Sequence, residues 1–110
     1  MGRQKREKDI EFQAGLYADQ CHGRLDKFVR PGRNGGFDRQ LLLPFCPVVF
    51  VEFKRPGRST ELEGRQVIEQ QWLLANGFEA WVVNDFDAFR RRVDHFVEEN
   101  RHAASHRLGH

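Results

Sequence analysis

Two cysteines, four prolines and a single methionine are all that the 110 residues hold of those types, and no long apolar run breaks the polar pattern. Nothing approaches the roughly 20 consecutive apolar residues of a membrane-spanning helix, which excludes that class. The stretch from Met1 to Asp9 is charged and lacks the apolar segment of a secretory signal, so a cytoplasmic location is expected. Cys21 and Cys46 show neither CxxC spacing nor paired histidines at zinc-finger distances, so free thiols are expected. His102, His106 and His110 fall in a polar C-terminal tail and are given no catalytic role. Net charge is also scarce: 18 basic against 16 acidic residues leave +2, too little by itself to mark a nucleic-acid partner.

What is present is enough for one core. Hydrophobic residues make up 39% of the chain, which predicts a single domain over residues 1–110. Its core is placed at about residues 7–100, with 101–110 as a flexible tail. The small net charge hides an uneven distribution. Residues 1–58 hold 12 basic and 7 acidic groups, and residues 59–110 hold 6 and 9. The first half is a basic surface with a few acids set in it, so the positions of those acids matter.

Ile10, Ala14, Tyr17 and Cys21 recur at helical spacing and predict a first helix over residues 7–22, with Glu7 and Glu11 one turn apart beside the stripe. A short extended run over residues 25–29 leads into the turn-forming cluster Pro31-Gly32-Arg33-Asn34-Gly35-Gly36. Residues 37–43 and 48–54 then flank a proline-bracketed connection and predict a β-hairpin. The second of these runs is apolar on both faces, as a central strand covered on both sides would be. Thr60 and Glu63 match a capping box, predicting a helix from residue 59 or 60 to about 76, with Gly77 as its stop. Residues 78–83 read as a fourth strand. Asp85 or Asp87 would cap a last helix over residues 88–100. Helix, three strands, helix, strand, helix gives an α/β fold with a mixed sheet and helices on its faces.

Two charges stand out at the end of the most apolar strand. Glu52 and Lys54 are two residues apart and project from one strand face. If the hairpin turn centres on Phe45, Asp38 falls directly opposite Glu52; a loop one residue longer turns Asp38 elsewhere. In the first register two carboxylates face each other with Cβ atoms about 5 Å apart. Such a pair repels itself, and a divalent cation relieves that repulsion. Mg²⁺ suits it, because this ion takes carboxylate oxygens and keeps several waters. Lys54 would stand beside the ion, where it could orient a water or balance an incoming phosphate.

Asp38, a 13-residue spacer and Glu52-Phe53-Lys54 resemble the active-site motif of the PD-(D/E)XK nuclease superfamily. The likeness extends to the VRR-NUC (virus-type replication-repair nuclease) domain in its stand-alone phage and bacterial form. It is carried by Glu7 and Glu11, Gly35-Gly36-Phe37-Asp38-Arg39, Val49 to Lys54, Arg55-Pro56-Gly57, and Gln66 eleven residues before Gly77. One departure is Phe37, where that family usually has proline before the aspartate.

The resemblance implies a restriction-endonuclease-like αβββαβ core and a Mg²⁺- or Mn²⁺-dependent DNA endonuclease. Asp38, Glu52 and the Phe53 carbonyl would bind the metal, and Lys54 would position the attacking water and stabilise the phosphate. Gln66 would line the site, and either Glu7 or Glu11, Glu7 slightly preferred, would complete it. Arg39, Lys27, Arg33, Arg55 and Arg58 are expected to contact DNA phosphates, Arg39 foremost. A core this small cannot surround a duplex, so a homodimer acting on branched or junction DNA is expected, in a bacterial or phage-infected cell. The alternative is an inactive DNA-binding or structural module with the same fold; intact Asp38, Glu52 and Lys54 argue against it.

Overall fold

The computed structural model describes residues 7–28 and 36–107. Along the chain come α1 (Glu7–Gln20), β1 (Arg24–Lys27), β2 (Arg39–Leu42), β3 (Val49–Phe53), α2 (Arg65–Ala75), β4 (Glu79–Val83) and α3 (Phe86–Arg107). The four strands form one sheet in the order β1-β2-β3-β4. The first three are antiparallel neighbours and β4 runs parallel to β3, the connection that requires the α2 crossover. This is the mixed α/β sheet expected from the element order.

Side chains alternate across the sheet, and the two faces are unequal. Leu41, Val49, Val51, Phe53, Trp81 and Val83 point to the α1/α3 side, where α1 contributes Ile10, Ala14 and Ala18 and α3 contributes Phe89, Val93 and Phe96. The two alanines of α1 let its backbone lie close to the strands. Trp81 is 1% exposed and meets Phe96 edge-on at 5.3 Å between ring centres. On its solvent side, the Arg92 guanidinium lies 4.5 Å over the indole centre.

The opposite face is thinner. There Phe37, Leu73 and Ala80 make a small buried cluster, edged by Phe50, Leu62 and Val82. Strand β3 is central, but only its α1/α3 face is sealed; Phe50 and Glu52 on the α2 face are half-buried. The expectation of cover on both faces is corrected to that extent.

Three further boundaries differ from the sequence reading, each for a local reason. The capping box at Thr60 and Glu63 does not form. Ser59 Oγ instead accepts the Glu61 amide at 2.9 Å in a tight turn. Helix α2 starts at Arg65 after Gly64, whose φ of 53° breaks any helix entering from upstream. Asp85 does cap α3, accepting the Ala88 amide at 2.8 Å. That helix starts earlier than expected and continues to Arg107 rather than ending near residue 100, helped by the Arg101–Glu98 pair one turn apart. Finally, Phe37 is not the first residue of an extended strand: its φ is 56°. Its ring is nonetheless 4% exposed, so burial against Leu73 and Ala80 holds a backbone conformation that phenylalanine rarely adopts.

Candidate active site

The β2–β3 register pairs Arg39 with Val51, Gln40 with Phe50 and Leu41 with Val49. Continued by one residue beyond the last paired position, this register sets Asp38 opposite Glu52, as a turn centred on Phe45 requires. Phe45 sits at that turn with φ 63° and is 89% exposed. Asp38 and Glu52 thus share the α2 face at the end of the sheet where β3 finishes.

Helix α2 runs back over β3 and β4 and brings its first turn onto this spot. Gln66 joins the two charges of β3: its Nε2 donates to Glu52 Oε2 at 2.5 Å, and its Oε1 accepts from Lys54 Nζ at 2.8 Å. Each end of one amide therefore addresses a group of opposite sign, which fixes the orientation of the amide as well as its position. The Lys54 backbone is held too, its amide donating to Val83 O at 2.8 Å. Lys54 keeps further N–H donors for an incoming anion.

Gly36 closes the arrangement from above. A Cβ on Gly36 would lie 2.8 Å from Glu52 Oε2 and 3.1 Å from Gln66 Cγ, and its φ of 86° is left-handed. The glycine backbone therefore leaves room beside the Glu52 carboxylate that any side chain would fill. The Gly-rich cluster marked this stretch in the sequence; its contact with Glu52 and Gln66 did not show there.

A second charged group meets Asp38 from the α1 side. Arg39 is 17% exposed; its Nη2 donates to Glu11 Oε2 at 3.1 Å, and its Nη1 lies 3.1 Å from Asp38 Oδ2. Nη1 is buried and has no well-aligned hydrogen bond, so Asp38 compensates it by charge at an oblique angle. Glu11 is 23% exposed and Asp38 46%. Glu11 therefore reaches Asp38 through Arg39. The side chain of Glu7 lies outside the described residues, as does Arg33.

The other expected phosphate contacts are spread out. Lys27 is exposed on the edge strand β1, along a groove of about 500 Å³ shared with Lys8, Phe12, Arg24 and Arg39. Arg55 and Arg58 are exposed in the turn after β3, where Arg58 N bonds Arg55 O at 3.0 Å. Phe53, whose carbonyl was an expected ligand, buries its ring against Phe89.

A divalent cation fits the donor set in kind. Two carboxylates stand at facing strand positions, one of them 46% exposed, and the Gly36 cradle keeps the space beside the other clear. Among the described residues no group of three or more Asp, Glu, His or Cys side chains gathers. Two carboxylates with the remaining positions left to water is the manner in which Mg²⁺ is commonly held.

Known proteins resemble the chain in sequence and in fold. It is 35% identical over 82 residues to the protein named "Putative nuclease p44" of Acyrthosiphon pisum secondary endosymbiont phage 1; the match covers 74% of this chain and 86% of that protein. A solved structure described as a VRR_NUC domain superposes with a TM-score of 0.75 at 23% identity, covering 84% of this chain and 98% of the other. No protein-family model matches.

Proposed function

The chain belongs to the VRR-NUC nuclease family, and on that premise we propose that it is a nuclease that hydrolyses phosphodiester bonds in DNA with a divalent metal, Mg²⁺ or Mn²⁺. The single observation that carries the reading is the bridge from Glu52 through Gln66 to Lys54, opposite Asp38. Asp38 and Glu52, with the Phe53 carbonyl, are the residues that would hold the metal. When bound, such an ion polarises a phosphoryl oxygen and makes a coordinated water more acidic.

The protein's own part is positional. Lys54 places its ammonium beside the metal-binding pair, where it orients the attacking water and offsets charge growing on the phosphate. Gln66 holds that ammonium and the Glu52 carboxylate at a fixed separation, so neither must reorganise as the reaction proceeds. Lys27, Arg55 and Arg58 supply exposed positive charge for the DNA backbone.

The finer substrate reading is branched or four-way-junction DNA cut by a homodimer. Its support is the size of the domain, together with apolar surface on α2 and at the start of β4. Ile68, Trp72, Leu74 and Phe78 are each more than 40% exposed there, and Trp72 stacks on Phe78.

The test is cleavage of labelled four-way junction, flap and linear duplex with Mg²⁺, Mn²⁺ or EDTA, beside Lys54→Ala. Metal-dependent nicking that the substitution abolishes is expected. Absence of cleavage on every substrate, or cleavage that Lys54→Ala leaves unchanged, overturns the assignment. Light scattering tests the dimer; a monomer at high concentration removes it.

A further inference from the structure

Arg39 was the foremost candidate for a DNA phosphate contact, yet its surroundings suit another task. Its guanidinium is 17% exposed; Nη2 donates to Glu11 Oε2 and Nη1 lies against the charge of Asp38 Oδ2, each at 3.1 Å. Nη1 is buried, out of reach of a phosphate, and Nη2 already donates to Glu11. We propose that Arg39 is a positioning residue that fixes the Asp38 carboxylate for metal binding, with Glu11 as the counter-charge that makes this possible. The inference rests on the nuclease reading above and deepens it.

Arg39 follows Asp38 directly, and neighbouring strand residues point to opposite faces, so the guanidinium lies on the α1 side and reaches back around the end of the sheet. It lies against Oδ2 of Asp38, whose side chain remains 46% exposed. An isolated arginine there would weaken Asp38 as a ligand by repelling the cation. Glu11 offsets that: Asp38, Arg39 and Glu11 together carry one negative charge, against none for Asp38 and Arg39 alone. Partners that orient a metal ligand are the usual means by which a site is tuned from outside.

The test uses the full chain carrying Arg39→Ala, Arg39→Lys or Glu11→Gln. Calorimetric titration with Mn²⁺ in the absence of DNA reads the metal site. DNA affinity in EDTA, measured across a range of salt, reads phosphate contact. Partners of this kind alter metal affinity by about 10- to 100-fold when removed, so Arg39→Ala is expected to weaken Mn²⁺ binding about 10-fold or more. DNA affinity in EDTA and its salt slope should stay as in the wild type. Lysine, with one point charge for two carboxylates, should recover only part of the metal affinity. Glu11→Gln should also weaken Mn²⁺ binding, although it touches no metal-binding residue.

A salt slope lower by about one, with metal affinity unchanged, would make Arg39 a phosphate contact and overturn the proposal. Unchanged metal and DNA binding in all three variants overturns it as well. Should Arg39→Ala fail to fold, Arg39→Lys and Glu11→Gln decide the matter by the same two readouts. A wild-type chain that binds no Mn²⁺ and cuts nothing removes the nuclease reading and this inference together. Wild-type cleavage with unaltered variants removes the inference alone.

Discussion

Gln66 donates to Glu52 Oε2 at 2.5 Å across the gap between α2 and β3, and its other end accepts from Lys54. A neutral side chain thereby sets the spacing of the two charges that the proposed reaction uses. Replacing it separates positioning from charge. Gln66→Ala is expected to lower the cleavage rate about 10-fold or more while barely changing the melting temperature, because the side chain is half-buried and outside the main core. Gln66→Glu sets a carboxylate against Glu52 and should do more harm than alanine at low metal concentration. Rates equal to wild type in both variants would show that the bridge has no part in catalysis.

Gly36 offers a test of crowding. A Cβ there meets Glu52 Oε2 at 2.8 Å, and Gln66 restrains that oxygen from moving aside. Gly36→Ala also carries a left-handed backbone cost of about 1–2 kcal/mol. Cleavage should fall at least about 10-fold, and thermal unfolding should shift only by that modest cost. A variant with normal turnover would mean that the carboxylate moves freely.

Phe37 joins strain to burial. Removing a buried phenylalanine ring costs about 3–5 kcal/mol, and Phe37→Ala should sit at the lower end because the cluster with Leu73 and Ala80 is small. Phe37→Pro should be worse than alanine. Proline fixes φ near −65°, and this residue sits at 56°. Denaturant unfolding that ranks proline as the milder change would contradict the account of this loop.

Tyr17 is the only tyrosine in the chain, so its titration can be followed without interference from another. Its hydroxyl donates to Asp94, and that bond, with desolvation and the Asp94 charge, pushes its pKa up to about 12. The folded chain therefore holds this proton to higher pH than the unfolded chain. The resulting stabilisation is complete below pH of about 10 and is lost as pH rises from there toward 12. Absorbance of the ionised phenol should appear near pH 12 in the folded protein and at lower pH in Asp94→Ala, where desolvation still raises it but the bond and charge of Asp94 are gone. Titration near pH 10 in both would mean that the Tyr17–Asp94 bond is absent in solution.

The fold was legible in the order of apolar runs. Helical spacing of Ile10 and Ala14, the proline-bracketed hairpin and the continuous run ending at Phe53 each follow from local periodicity, which a single sequence carries. The hairpin left two registers open, and the observed pairing of Arg39 with Val51 selects the one that sets Asp38 opposite Glu52. Pattern named Glu52 and Lys54 as residues to watch, whereas Gln66 came from the resemblance to the VRR-NUC domain. Helix ends were less secure. Gly64 and Ser59 settled the start of α2 against a capping box that looked complete, because competing turns of similar energy are decided by where the chain must go next.

Only the tertiary structure decided who touches whom. That Gln66 spans Glu52 and Lys54, that Gly36 keeps their oxygen clear, and that Arg39 turns away from solvent to join Glu11 with Asp38 all depend on elements distant in sequence arriving at the same edge of the sheet. A sequence records which charges exist; their pairing is fixed by the angstrom-scale packing of α1 and α2 on either face, over which electrostatic energies change most steeply.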